Sequence, residues 1–177
     1  MDIRLRKMEV EEADWFLREM KSSFEQGVLD RFGDVSAAPV PPEKEVKTSF
    51  ADGCCDVFIL LADGTPAGGT IIKREEKGKY SLDLLFIFKA WQNQKIGFAA
   101  WQAIEAHYPD AALWETCTPY FDRRNIHFYL NKCGFCITEF FNTFHRDEKD
   151  LTDQFRDAGM SGFFRFEKRM PSQKVPQ

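Results

Sequence analysis

The run from Tyr80 to Ala106, YSLDLLFIFKA followed by WQNQKIGFAAWQAIEA, constrains the fold more than any other stretch. Leu82 to Phe88 is apolar and β-favouring, with Asp83 as its single charge, and predicts a buried strand. Ile96, Ala99, Ala100, Ala103, Ile104 and His107 recur at helical spacing and put one stripe against a core. Between them Gln92, Asn93, Gln94 and Lys95 are polar, and Gly97 permits close approach at the first helical turn. A strand that turns sharply into a helix presents main-chain N–H groups at the helix N-terminus, where a phosphate can sit.

The flanking sequence falls into elements of matching period. Ile3 to Arg6 alternates as a strand does, and Glu11 to Phe24 carries Ala13, Phe16, Leu17, Met20 and Phe24 on one helical side. Glu25 to Val40 has weak periodicity and ends in a proline-rich run. Pro42 to Ala51 predicts a short helix with Val46 and Phe50 inward. Cys55 to Ala62, Ala67 to Arg74 and Tyr80 to Phe88 then form a meander, turned at Asp63-Gly64 and Lys77-Gly78. After the helix, which Pro109 stops, come a strand from Ala111 to Cys117 and a helix from Asp122 to Cys133 closed by Gly134. A long strand from Phe135 to Phe144, a small inserted helix from Asp147 to Ala158 and a strand from Gly162 to Met170 complete the series. In that last strand, alternation puts Phe164, Phe166, Lys168 and Met170 on one side. This order predicts an α/β (α+β) fold: a mixed, mostly antiparallel sheet of six to seven strands with helices on both faces. Its 177 residues suit a single domain over 1–171 with a loose tail at 172–177.

Composition removes whole classes of function. A net charge of -4 lacks the basic balance of a nucleic-acid binder. No apolar run reaches the length of a membrane span, and the charged, alternating N-terminus is unlike a signal peptide. Five cysteines, two of them adjacent at Cys54 and Cys55, form no secreted disulfide framework, so the expected location is cytoplasmic with reduced thiols. The 18 phenylalanines imply a large aromatic interior or an apolar substrate cleft, and aromatic strands near the C-terminus suggest a homodimer.

The element order and the residues at two positions resemble the GCN5-related N-acetyltransferase (GNAT) superfamily over about Ile3 to Met170. The family's acetyl-CoA signature is Gln or Arg, two residues, Gly, one residue, then Gly or Ala. Gln92 to Gly97 fits with Lys95 at the first glycine position; Gln94 to Ala99 fits literally but starts two residues later after the strand. The first register keeps the usual spacing from Phe88 and is preferred. The second feature is a helix ending in Gly-Phe, with an Asn near its start and a Tyr four residues before the Gly. Asn125 and Gly134-Phe135 match; Tyr129 lies five residues ahead, with Leu130 at the usual position. One residue turns a helical side chain by about 100 degrees, which a local bulge would undo.

The resemblance implies the acyl-CoA N-acyltransferase fold, acetyl-CoA as co-substrate, no metal, and transfer of an acetyl group to a primary amine of a small molecule or protein. It implies a cofactor-binding set of Phe86, Ile87, Phe88, Gln92, Asn93, Gln94, Lys95, Ile96, Gly97, Phe98 and Asn125. Tyr129 is its candidate acid for the departing thiolate. Two carboxylates are candidates for the base, Asp83 in the apolar strand and Glu115 in the next, because burial would raise either pKa toward a useful range. The acceptor would be read by Glu25 to Ala51, the Tyr120 region and the last hairpin. Two other readings stand beside this one. One is a cofactor-binding or sensing domain without catalysis, suggested by Lys95 and the shifted tyrosine. The other is a redox or metal protein built on Cys133-Gly134-Phe135-Cys136, a C-x-x-C at a helix end rather than a helix start.

Overall fold

The computed structural model describes residues 2–32, 41–92, 94–146 and 162–171. Its elements are β1 (Ile3–Lys7), α1 (Ala13–Phe32), α2 (Glu43–Ala51), β2 (Cys55–Ala62), β3 (Thr65–Arg74), β4 (Lys79–Ile87), α3 (Ile96–His107), β5 (Leu113–Pro119), α4 (Arg123–Phe128), β6 (Cys136–Phe141) and β7 (Phe163–Arg169). Short 3-10 turns precede α1 and follow β4, and a π turn, Tyr129–Cys133, continues α4. Among the described residues, seven strands pair in the order β1-β2-β3-β4-β5-β7-β6. β4 and β5 run parallel; the β1–β2, β2–β3, β5–β7 and β6–β7 pairs are antiparallel. This is the mixed α/β sheet that the sequence predicts. Among the described residues no helix is long and apolar enough to cross a membrane.

The chain gathers into two compact units, Met1–Arg74 with Leu82–His107, and Glu75–Ser81 with Tyr108–Gln177. In the first, β2 is buried along nearly its whole length, so both its faces are covered. Val57 and Ile59 pack with Phe16, Leu17, Met20 and Val46 of α1 and α2. Phe58, between them in sequence, meets His107 of α3 at 5.0 Å between ring centroids. Successive strand residues point to opposite faces, so α1 and α2 cover one face and α3 the other. The turn between β2 and β3 is the expected two-residue hairpin, with Asp63 at φ 47° and Gly64 at φ 83°. Positive φ at both central residues matches the right-handed twist of the paired strands.

Glycine matters most in β3. A Cβ at Gly68 would lie 2.1 Å from the Phe86 carbonyl oxygen, and one at Gly69 would lie 2.5 Å from the Phe16 ring. The missing side chain at Gly69 lets Phe16 and Phe86 meet edge to face, 5.1 Å between centroids.

In the second unit, Trp114, Thr116 and Thr118 of β5 are all buried. Their register partners Lys168, Phe166 and Phe164 belong to the same face. Tyr80, Tyr108 and Trp114 form an aromatic group with centroids 4.7 to 5.6 Å apart, and the Tyr80 hydroxyl donates to Asp110 at 2.9 Å.

Several boundaries differ from expectation for local reasons. α1 extends to Phe32 instead of stopping near Phe24. β5 starts at Leu113 because the Ala111 N–H bonds to the Tyr108 carbonyl in the preceding turn and the Ala112 N–H to the Gly78 carbonyl in the turn before β4. β6 covers Cys136–Phe141, not Phe135 to Phe144, because the Asn142 side chain accepts from the N–H groups of Phe144 and His145 and starts a turn. In β7 the side chains alternate as expected, but Phe163 and Phe166 are both buried, so burial is not confined to the Phe164 and Phe166 side. The inserted helix expected at Asp147 to Ala158 lies outside the described residues, as does the tail.

Candidate active site

The first unit holds the strand, loop and helix that the sequence singled out. β4 ends at Ile87, a 3-10 turn covers Lys89–Trp91, and α3 begins at Ile96. Lys95 has φ 62°, in the left-handed region that glycine favours, and its carbonyl accepts from the Ala99 N–H at 3.2 Å. Lys95 therefore caps α3 from the conformation expected of the signature's first glycine. The first turn of α3 carries no acidic residue, so nothing on the helix itself opposes an anion at its N-terminus. Ile96 is buried against Ala62 and Ala67 and fixes the direction of the helix, while Phe98 is 38% exposed. Asn93 lies outside the described residues.

Side chains hold this loop in shape. Gln92 Nε2 donates to the Ile87 carbonyl at 3.0 Å and Gln94 Nε2 to the Ala90 carbonyl at 2.9 Å. The Phe88 N–H donates to the Ala67 carbonyl at 2.9 Å, so Phe88 turns its main chain toward β3. The Phe88 N–H and the Ile87 carbonyl, in the set expected to bind the cofactor, are therefore not free to do so. Both have partners within the unit. Phe86 is buried among the α1 and α2 core residues, which makes its side chain part of the core.

Asp83 is exposed on β4. Its charge reaches Cys55, whose thiol also bonds to the Asp52 carboxylate at 3.7 Å. Burial, then the Asp52 and Asp83 charges, push that thiol up to about 11, so it is not a thiolate near neutral pH. Asp83 is thus a solvent-reachable carboxylate rather than the buried one anticipated.

The second unit holds Tyr129, Asn125 and Glu115. The Asp122 side chain caps α4 by accepting from the Asn125 N–H at 3.1 Å. α4 then widens into the π turn, where the Gly134 and Phe135 N–H groups both donate to the Tyr129 carbonyl. The N–H five residues on bonds to this carbonyl, so the turn contains one residue more than an α turn. This accommodates the extra residue between Tyr129 and Gly134. Gly134 ends the segment at φ 78°.

Tyr129 is buried, with its ring 5.6 Å from Phe135 and 5.5 Å from Phe166. Burial raises its pKa well above the usual tyrosine range, against the opposing effect of Thr116, so the phenol keeps its proton.

Glu115 is buried between two cations, Lys79 Nζ at 3.2 Å and the Arg165 guanidinium. Arg165 also pairs with Glu139 at 3.0 Å and lies 3.8 Å from Glu167, and Glu139 takes His145 at 3.0 Å. Burial disfavours the charge on Arg165, but hydrogen bonding and attraction from Glu115, then Glu139, outweigh it and leave its pKa above the usual value. Glu115 is thus a member of a charge ladder rather than a lone carboxylate in an apolar site. Arg165 is the residue that sequence reasoning missed. Arg165 and Glu167 alternate on β7, but nothing local says that their partners lie on two other strands.

The C-x-x-C divides: Cys133 is buried and Cys136 exposed, and all five cysteines are free thiols. Among the described residues no group of three or more His, Cys, Asp or Glu side chains could hold a metal.

The sequence matches the acetyltransferase (GNAT) family over residues 15–135. It is 39% identical over 166 residues to the uncharacterized protein YrkN of Bacillus subtilis (strain 168), covering 88% of this chain and 86% of that one. The chain therefore belongs to the acetyltransferase (GNAT) family. Solved structures agree on the fold. An acetyltransferase from Thermus thermophilus superposes with a TM-score of 0.68 at 15% identity, over 96% of this chain and 98% of that one. The ribosomal-protein-S18-alanine N-acetyltransferase from Escherichia coli gives 0.68 at 11%, over 99% and 100%. The PaiA N-acetyltransferase from Thermoplasma acidophilum, solved in complex with coenzyme A, gives 0.65 at 15%, over 96% and 100%.

Proposed function

We propose that this protein is an acetyl-CoA-dependent N-acetyltransferase acting on a primary amine of a small molecule or protein, and that it works in the cytoplasm. The observation that carries the reading is Lys95. A lysine in the left-handed conformation, capping a helix just after β4, takes a backbone angle that glycine adopts freely, at the place where the signature would have its first glycine. The N–H groups from Lys95 to Phe98 would grip the diphosphate, and the Lys95 ammonium would add a charge beside it. Ile96 serves the site by anchoring the helix, and Gln92 and Gln94 by bracing the loop. The N–H of Ile87 and the side chain of Asn125 would bond to the pantetheine arm.

In the reaction the amine must first lose a proton. Its nitrogen then attacks the thioester carbonyl and gives up a second proton to solvent, the C–S bond breaks, and the thiolate takes up a proton to leave as free coenzyme A. Asp83, which solvent reaches, is better placed than Glu115, which two cations engage, to take the proton of an ammonium through water. Tyr129, kept protonated by burial, would supply the proton to sulfur. Holding the thioester and the amine together contributes much of the rate.

A second reading, binding or sensing acetyl-CoA without transfer, is favoured by the engagement of Glu115 with two cations and the enclosure of the Tyr129 ring among phenylalanines. Calorimetric titration with acetyl-CoA, followed by thiol release with a panel of amines, separates the two. Binding with no thiol release for any amine selects the second, and absence of binding removes both.

A further inference from the structure

The two ends of the sheet are defended differently. A strand at a sheet edge shows unpaired main-chain groups to any other strand, and proteins guard such edges with charge or proline. At one end β1, Ile3–Lys7, carries Arg4, Arg6 and Lys7. At the other end β6, Cys136–Phe141, has neither lysine nor proline. Its one charge, Glu139, is already taken inward by Arg165 at 3.0 Å and by His145 at 3.0 Å. Two apolar side chains on this strand stay in water: Ile137 is 40% exposed and Phe140 41%.

The register makes this edge complementary to itself. Ile137 lies opposite Phe166 and Phe140 opposite Phe164, with a one-residue slip at Thr138. Phe164 and Phe166 are two apart and share a face, so Ile137 and Phe140 share it too. We propose that a second copy of this chain docks on β6, strand to strand and antiparallel about a two-fold axis. In the pairing that sets Ile137 against Phe140 of the other copy, each apolar side chain meets an apolar one on the same face. Thr138 then faces Glu139, so no carboxylate meets its own copy. β1 offers no such solution, since its self-pairing would crowd six cations. The inference is independent of the catalytic reading.

Sedimentation analysis of the full chain from about 1 to about 200 µM tests it by mass action. A species of twice the 20.6 kDa chain mass is expected to grow with concentration. Thr138→Lys and Ile137→Lys each bring an ammonium to the edge and should raise the dissociation constant at least about tenfold, with the circular dichroism spectrum of the folded chain unchanged. Arg4→Gln on the opposite edge should change nothing. Hydrogen exchange at the β6 amides of the unmodified protein should slow as concentration rises, which needs no variant to fold. A monomer throughout the range, a dimer indifferent to both lysines, or β6 amides whose exchange ignores concentration would each overturn the proposal.

Discussion

A lysine in the left-handed region is a cost that glycine would not incur. For an L-residue that region costs about 1–2 kcal/mol, offset in part by the greater freedom glycine has when unfolded. Lys95→Gly should therefore stabilise the fold by about 0.5–1 kcal/mol, read as a higher midpoint in urea. If the ammonium also meets a diphosphate, the same variant should bind acetyl-CoA more weakly, and Lys95→Gln should lose as much affinity without the gain in stability. Gly97→Glu should block the cofactor while leaving the melting curve unchanged; affinity equal to the parent protein would remove the loop from the site. Tyr129→Phe separates two roles. It keeps the ring contacts with Phe135 and Phe166 and removes only the hydroxyl, so a fall in turnover with acetyl-CoA affinity preserved identifies the acid. Full turnover would leave Tyr129 a core aromatic.

Among the elements, the π turn and the glycine pair make opposite predictions about tolerance. Deleting exposed Asn131 should close the π turn into an ordinary helical one and keep Tyr129 against Thr116. Cooperative unfolding within about 1 kcal/mol of the parent protein is expected, where a deletion inside α3 should rotate its buried face and abolish folding. Gly69→Ala, by contrast, drives a methyl into the Phe16 and Phe86 rings and should cost about 1–3 kcal/mol, measured by denaturant titration. These elements also show what the sequence could carry. The meander was legible because Asp63-Gly64 and Lys77-Gly78 punctuate it, and β2 falls at Cys55–Ala62 as expected. The α3 loop was legible in letters except at Lys95, whose backbone angle no letter reports. The π turn was foreshadowed only by a miscount of one residue before Gly134. The charge ladder was invisible, because Lys79, Glu115, Arg165 and Glu139 sit on four strands and meet only after the sheet forms.

At the scale of the molecule that ladder gives the protein its expected response to acid and to charge removal. Hydrogen bonds from His145, then from Arg165, hold the Glu139 carboxyl below its ordinary pKa. The unfolded chain returns it to the ordinary value. The stability it supplies is whole at neutral pH and is lost as pH falls through the ordinary carboxylate range to the lower folded value. Glu139→Gln should therefore flatten the acid limb of a melting-temperature profile. Removing Glu115 is more severe, because Lys79 and Arg165 are left facing each other, half-buried. Glu115→Gln should cost about 2 kcal/mol or more. Were Glu115 instead the base, turnover would collapse with stability intact.

The angle at Lys95 has a reach beyond this chain. A search that demands glycine at that place would pass over any relative carrying another residue there, though its loop traces the same curve. Catalogues of such proteins kept as spellings will be shorter than catalogues kept as torsions, and the missing names should carry long, flexible side chains where the spelling wants none.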